Sequence, residues 1–120
     1  SVNRAEAIRT DKQLLVRRLV AELATASAQL ARLTEREVLY SSRLLPQMTE
    51  QAQAALSAYN NDTGDFAEAV RARIAELNAK VEALDIAVER QKTIAQINYL
   101  LAEAAPDALQ PPDNFRGAEK

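Results

Sequence analysis

The stretch AALSAYNNDTGDFAEAV, residues 54–70, decides the fold. At its centre, Asn60 to Asp65 gathers the residue types that tolerate left-handed backbone and favour tight turns. Asp65 or Thr63 can cap a following helix, and Glu68 stands three residues after Asp65, as a capping box requires. Because alanine-rich, helix-favouring sequence lies on both sides of this cluster, it predicts a turn between two helices.

Helix 1 is predicted over about residues 5–59. Its larger apolar side chains recur at steps of three, four and seven, which places them on one helical face. That face consists of Ile8, Leu15, Leu19, Leu23, Ala26, Leu30 and Leu33. A second stripe of smaller side chains lies beside it, at Val16, Val20, Ala24, Ala28 and Ala31. Two stripes on one helix predict contact with two neighbouring helices.

Pro46 interrupts helix 1 within the sequence LLPQ, residues 44–47. A proline removes one helical hydrogen bond and clashes with the preceding turn. The apolar periodicity nevertheless resumes at Met48 and continues to Tyr59. We therefore expect Pro46 to kink one long helix, with a short break as the alternative.

Helix 2 is predicted over about residues 66–104, after a turn at residues 60–65, and should stop before Pro106. Its clearest pattern has the spacing of a coiled-coil seam. The members are Phe66, Val70, Ile74, Leu77, Val81, Leu84, Val88 and Ala95. A second stripe follows at Ile86, Ile94, Ile97 and Leu101. Residues 1–105 are thus expected to form the hairpin, and residues 106–120, with three prolines, a C-terminal tail.

The expected fold is all-α: a long antiparallel two-helix coiled-coil hairpin. Of the 120 residues, 48% are apolar, but much of that fraction is alanine. Because such thin stripes cannot enclose a large core, the hairpin is expected to self-associate into a helical bundle.

Composition also excludes several kinds of chemistry. The chain has no cysteine and no histidine, which removes thiolate catalysis, disulfides and the commonest soft-metal ligands. Its net charge is −2 with both signs spread along the helices, so no basic face for nucleic acid is formed. No phosphate-binding loop or catalytic triad is present. The sequence predicts neither an enzyme nor a cofactor or metal site.

The stretch LLPQMTEQAQAALSAYNNDTGDFAEAVRARIAELNAKVEAL, residues 44–84, resembles the second, C-terminal α-hairpin of TolC-like outer-membrane efflux factors. Leu44 to Gln47 match that family's Leu-Leu-Pro-Gln-like element. Ala58-Tyr59 matches the start of its turn motif, and Asp65-Phe66 falls at the spacing of the metal-efflux branch rather than the drug-efflux branch. The resemblance covers about residues 15–104.

The chain departs from the family pattern at the turn. Asp62 occupies the position of the family glycine, although aspartate tolerates the same backbone better than most residues do. Gly64 stands where some drug-efflux members carry a gating arginine, so an arginine lock is not carried over. The family's adaptor-docking tip motif falls on Asn61, Asp62 and Thr63, of which Thr63 alone keeps the residue type.

The resemblance implies a part in transport. Family members are trimers anchored in the outer membrane by a β-barrel, and their helices form a tunnel across the periplasm. The hairpin turns form the tunnel entrance and meet a periplasmic adaptor, which connects them to an inner-membrane pump. This chain would be a fragment of that tunnel, from the periplasmic portion of an outer-membrane protein, without a membrane-spanning segment of its own. The expected entrance and adaptor contacts are Tyr59, Asn61, Asp62, Thr63 and Asp65.

Other interpretations remain open. The turn residues can simply cap helices and close the hairpin. The whole chain can instead be a non-enzymatic interaction module, such as a periplasmic adaptor hairpin or an oligomerisation domain. A remote alternative is an all-helical chorismate-mutase-like enzyme, because IRTDKQLLVRRLVAEL loosely resembles that family's first helix, with Arg9, Asp11 and Arg18 as anion contacts.

Overall fold

A computed structural model describes residues 2–105 of the chain. Helix α1 spans Val2–Leu39 and leads through a π-helical turn, Tyr40–Leu44, into α2, Leu45–Asn60. After a short turn, α3 spans Phe66–Ala104. No strand occurs in residues 2–105. The all-α antiparallel hairpin predicted from the sequence is confirmed, whereas the predicted tail, residues 106–120, lies outside the described residues.

Two compact units make up the chain. The first, Leu30–Lys92, contains the end of α1, the π-helical turn, α2, the tight turn and most of α3. We call it the hairpin unit. The second, called the terminal unit, joins Ser1–Gln29 with Thr93–Lys120. Its described part consists of the start of α1 and the last turns of α3.

In the hairpin unit, α3 turns a face of mostly small side chains toward the first arm of the hairpin. The buried or half-buried positions of this inner face recur at steps of three and four: Ala69, Ala72, Glu76, Ala79, Ala83, Ile86 and Arg90. Alanine at such positions lets two helices approach closely, and the 3–4 spacing is that of a left-handed coiled coil. The helices of this hairpin therefore meet along an alanine-rich seam.

The predicted aliphatic stripe of α3, by contrast, faces solvent. All seven of its members in the hairpin unit are exposed, and we call them the outer stripe: Phe66, Val70, Ile74, Leu77, Val81, Leu84 and Val88. At about 100° per residue, the outer stripe lies roughly 150° around α3 from the inner face. The expectation that this stripe forms the hairpin seam is wrong. The heptad pattern was correctly located, but it faces away from the first arm.

The π-helical turn keeps the first arm in phase with α3. Inward positions of the first arm advance by three and four residues from Leu30 to Leu44, then take two successive steps of four to Met48 and Ala52. A π turn holds one residue more than an α turn, so it absorbs the additional residue. Pro46 follows immediately, in the first turn of α2, where a missing N–H is tolerated.

No break separates the two segments, because Leu44 and Leu45 keep right-handed helical backbone and the Leu45 amide donates to the carbonyl of Tyr40. Helix 1, predicted over residues 5–59, thus runs as helical backbone from Val2 to Asn60, and its irregularity lies in the turn before Pro46.

Polar side chains tie the two arms of the hairpin unit together at three levels. The Tyr40 hydroxyl donates to a carboxylate oxygen of Glu82 at 2.6 Å. On one side of this pair, Arg90 Nε donates to Thr34 Oγ1 at 3.1 Å. On the other side, Thr49 lies near the buried carboxylate of Glu76 and lowers its pKa. Because each pair joins fixed positions on opposite arms, these contacts specify the register of a seam whose small side chains specify it weakly.

The terminal unit has a more conventional apolar interior. Its buried residues are Leu19, Ala26, Thr93 and Leu100. Leu23, Ile94 and Ile97 are half-buried beside them. The predicted stripe of helix 1 is thus found inside from Leu19 onward, while Ile8 and Leu15 are exposed. Its neighbouring stripe, represented by Val16 and Val20, also faces solvent.

Candidate functional site at the hairpin turn

The end of α2 is closed by backbone hydrogen bonds that together form a Schellman motif. Asn61 is the C-terminal cap, and its N–H donates to the carbonyl of Ser57 at 3.0 Å. The N–H of Asp62 then donates to Tyr59 at 3.1 Å, and the N–H of Thr63 donates to Ala58 at 2.8 Å. These are the two bonds of the motif, so the turn satisfies carbonyl groups that the helix end leaves unpaired.

Asp62 adopts the left-handed conformation that the Schellman motif requires after its cap residue. Its φ is 60°, the one positive φ among non-glycine residues in the described part of the chain. Glycine is the usual residue at such a position, and aspartate is among the few others that adopt it readily. The left-handed backbone that favours glycine therefore occurs at Asp62, the position where the sequence resemblance places the family glycine.

Gly64 is required for space rather than for an unusual backbone angle. A Cβ atom at this position would lie 2.9 Å from the Cβ of Ala58 and 3.3 Å from its carbonyl carbon. The N–H of Gly64 also donates to the carbonyl oxygen of Ala58 at 3.0 Å, which holds the two backbones together. No larger side chain fits here without a shift of the turn, so an arginine at this position is incompatible with this closure.

Two of the expected entrance residues have structural duties at the turn. Asp65 caps α3, because its carboxylate accepts the N–H of Glu68 at 2.7 Å. The hydroxyl of Thr63 donates to the carbonyl oxygen of Ala58 at 3.1 Å. The side chains of Thr63 and Asp65 therefore have the capping contacts that the simpler interpretation expects.

Tyr59 joins the two helices across the turn. Its ring meets the ring of Phe66 edge-to-face, with centroids 5.7 Å apart and an interplanar angle of 60°. Such aromatic pairs contribute on the order of 0.5–1.5 kcal/mol beyond the area they bury. Both rings remain exposed on their outer sides. From the sequence, a staple by Tyr59 across the hairpin end is one of two open interpretations, but Phe66 is assigned to the heptad stripe and not named as the partner, although the two aromatics that flank a six-residue turn were the available signal.

Asn61 and Asp62 remain as the groups that the turn presents outward. Both residues are exposed, and within the described residues neither side chain forms a hydrogen bond or an ion pair. All five candidate residues lie at one end of the hairpin unit, but they divide into two groups. Tyr59, Thr63 and Asp65 build the turn, whereas Asn61 and Asp62 offer an amide and a carboxylate to solvent.

Sequence reasoning also missed the polar contacts farther along the hairpin. Hydrogen bonding from Thr49 lowers the pKa of Glu76 most strongly, and the charges of Arg73 and Lys80 lower it further against the effect of burial. Arg73 also forms an ion pair with Glu76 on the same helix. No periodic pattern identifies Glu76 as an inward residue, because a glutamate on a helix is usually solvated.

The pKa of Tyr40 is raised, first by its hydrogen bond to Glu82 and then by burial and the charge of that carboxylate. Tyr99 is bonded to Glu103 on the exposed surface, and this hydrogen bond raises its pKa. Each hydroxyl therefore acts as a donor to a carboxylate.

Residues 2–105 hold no group of three or more acidic, histidine or cysteine side chains that could bind a metal ion. Of the proposed anion contacts, Asp11 and Arg18 line a shallow cleft on α1, and Arg9 is exposed. None of the described helices is both long and apolar enough to cross a membrane.

The comparisons with known proteins give no relative for this chain. It matches no protein-family model, no curated protein and no solved structure.

Proposed function

We propose that this hairpin is part of the periplasmic tunnel wall of a TolC-like outer-membrane efflux channel, with its turn at the tunnel entrance. The observation that carries the proposal is the pair of contact faces on α3. One face packs against the first arm of the hairpin, and the outer stripe lies roughly 150° away and is uncovered. A helix in the wall of a tunnel lies between two neighbours, so it needs two such faces.

The turn gives independent support. The resemblance aligns Asp62 with the family glycine, and Asp62 is the residue with φ of 60°. A chance match of alanine-rich helices has no reason to align a glycine with the position that requires left-handed backbone. The alignment of the turn motif therefore agrees with the backbone as well as with the residue spacing.

The expected assembly is a trimer of a longer parent protein, located as the periplasmic portion of an outer-membrane channel. Its turn contacts a periplasmic adaptor and, through that adaptor, serves an inner-membrane pump. In this role the chain needs no cofactor and performs no catalysis. Asn61 and Asp62 are the side chains best placed to meet the adaptor or the transported solute, because neither is engaged within the turn.

Charge at the entrance suggests a preference for cations. Each copy of the turn carries Asp62 and Asp65, and rings of carboxylates favour cations in a pore. The Asp62 carboxylate should dominate this effect, since that of Asp65 is held by the amide of Glu68. Tyr59 narrows the entrance only as far as its pairing with Phe66 allows.

Planar-bilayer recordings on a channel that contains this hairpin test the proposal. Asp62→Gly restores the family residue and removes one charge per copy, so the cation preference should fall while assembly is retained. Asp65→Asn keeps a capping side chain and should act in the same direction, but more weakly. Glu35→Gln is the control, because this exposed glutamate lies about 37 Å along the first arm from the turn at 1.5 Å per residue. Equal selectivity in all three variants would leave capping as the sole role of the turn.

An interaction module is the second candidate, and one observation favours it. The outer stripe has the composition of an oligomerisation seam in its own right, and such a seam needs no tunnel. The discriminating result is the behaviour of the turn: an oligomerisation module should assemble normally with Asn61 and Asp62 replaced, and nothing should dock there.

A further inference from the structure

The residues of the outer stripe follow a heptad pattern, and their order within the heptad indicates which kind of coiled coil they favour. In coiled-coil notation, its a positions are Ile74, Val81 and Val88, and its d positions are Val70, Leu77 and Leu84. All six side chains are exposed in the hairpin unit. β-branched residues at a, with leucine at most d positions, favour parallel two-stranded coiled coils.

We propose that the outer stripe pairs two copies of this chain through a parallel, in-register coiled coil of their α3 helices. The stripe from Val70 to Val88 covers about 27 Å of helix at 1.5 Å per residue, which is close to three heptads. Within each copy, the first arm of the hairpin packs on a face roughly 150° away. It therefore leaves the outer stripe accessible to a second copy along this length.

Charges beside the stripe favour the parallel orientation. Lys80 occupies a g position and Asp85 the e position five residues later, and both are exposed. In a parallel pair, Lys80 of each copy faces Asp85 of the other, which gives two attractive contacts. In an antiparallel pair, g positions face one another, so Lys80 would meet Lys80 or Arg73 of the other copy, even where Arg71 and Asp85, both at e positions, attract each other. The parallel pair gains its two attractive contacts without a contact between like charges.

Single cysteines provide the first test, on a background without any cysteine. In the parallel pair, Leu77 of one copy lies against Leu77 of the other, so Leu77→Cys in the full chain should form an intermolecular disulfide rapidly on mild oxidation. Ala75→Cys is the matched control, since Ala75 is exposed on α3 but faces away from the outer stripe. Equal cross-linking of both variants, or none at Leu77→Cys, would overturn the proposal.

Charge reversal provides the second test. Asp85→Lys places lysine opposite Lys80 of the second copy and should raise the dimer dissociation constant, measured by sedimentation equilibrium, about tenfold. The double variant Lys80→Asp with Asp85→Lys exchanges the partners and should restore the original value. A double variant weaker than Asp85→Lys would contradict parallel pairing, provided that circular dichroism shows unchanged helix content.

The parallel pair and a neighbouring helix of the tunnel wall would occupy the same outer stripe, so the pair is proposed for this chain by itself, and the two proposals have separate outcomes. A trimer or larger assembly without a Leu77→Cys disulfide overturns the parallel pair but leaves the tunnel proposal standing. A parallel dimer supports this inference whether or not the turn affects ion selectivity. A strict monomer at high micromolar concentration rejects the parallel pair.

Discussion

At the residue scale, the turn depends on two positions with opposite requirements. At Asp62 the backbone has a positive φ that suits glycine, yet the residue carries a side chain. At Gly64 the backbone angle is one that any residue can adopt, but there is no room for a side chain. A Cβ atom is therefore unfavourable at both positions: at Asp62 because of the backbone angle, and at Gly64 because of the contact with Ala58. Neither requirement can be read from the composition of the cluster.

Substitutions at these two positions should move stability in opposite directions. Gly64→Ala brings a methyl group against Ala58 and should lower the free energy of unfolding by about 1–3 kcal/mol. Asp62→Gly removes the strain of φ at 60° and should raise it by about 0.5–1 kcal/mol or leave it unchanged, given the flexibility that glycine adds to the unfolded chain. Urea denaturation monitored by circular dichroism measures both. A stable Gly64→Ala variant would mean that the turn differs from the one described.

Glu76 predicts how stability depends on pH. Its pKa is lowered from the ordinary value of 4.5 because the folded state favours the carboxylate, chiefly through Thr49 and then through Arg73 and Lys80. A group with a lowered pKa stabilises the fold above its unfolded pKa, and this contribution disappears as pH falls through the folded value. The stabilisation by Glu76 should therefore be complete at pH 7 and decline below about pH 4.5.

Glu76→Gln should lower stability at pH 7 and weaken its pH dependence in the acidic range. Denaturation midpoints between pH 7 and pH 3 measure both effects. Glu68→Gln serves as the comparison, because Glu68 is an exposed glutamate on the same helix. If the two variants have the same pH profile, the interaction between Glu76 and Thr49 does not stabilise the fold.

At the element scale, the π-helical turn keeps the inward residues of the first arm facing α3. It contains one additional residue between Tyr40 and Met48, and after it the inward positions again face α3. Pro46, in the first turn of α2, makes a regular α-helical bond at that residue impossible. The two features occur together, but the phase argument depends on the additional residue alone.

Deleting one residue within the π turn should therefore be tolerated. Without Ser41, the segment can continue as a regular α-helix with the inward positions still facing α3, so the melting temperature should change little. Deleting Gln51 is the control, since it rotates the rest of α2 by about 100° and turns Ala52 out of the seam. The second deletion should lower the melting temperature sharply. Equal losses for both deletions would reject the phase interpretation.

At the scale of the whole molecule, folding and assembly use different faces of α3. Ile86 on the inner face is 3% exposed, while Leu84 on the outer stripe is 64% exposed. The two residues are close in sequence and similar in size, but one lies against the first arm of the hairpin and the other faces solvent. Stability of the hairpin and association with further helices should therefore be separable by mutation.

Leu84→Glu and Ile86→Ala test this separation. Leu84→Glu should change the unfolding free energy by about 0.5 kcal/mol or less but abolish self-association, measured by sedimentation at high micromolar concentration. Ile86→Ala should lower the unfolding free energy by about 2–5 kcal/mol, because it removes buried methyl groups. Comparing the two requires measuring unfolding under conditions where the chain is monomeric. A large loss of hairpin stability from Leu84→Glu at low concentration would show that Leu84 is inside.

The sequence by itself determined the helices, the turn and the existence of two apolar stripes on each arm. These features follow from local rules: residue propensity, the Asn, Asp and Gly cluster, and periodicity along one helix. The candidate residues lie in that turn, but their expected role at a tunnel entrance is implied by the family resemblance and not by these local rules.

The tertiary structure alone decided which stripe faces inward. Periodicity identifies a face but not its partner, and the aliphatic stripe of α3 was the stronger signal although the alanine face forms the seam. Close approach of two helices favours small side chains, and the hydrogen bonds from Tyr40 to Glu82 and from Arg90 to Thr34 exist only between arms. The division of turn residues into those that close the turn and those that face outward likewise depends on contacts across it, which no pattern along a single helix encodes.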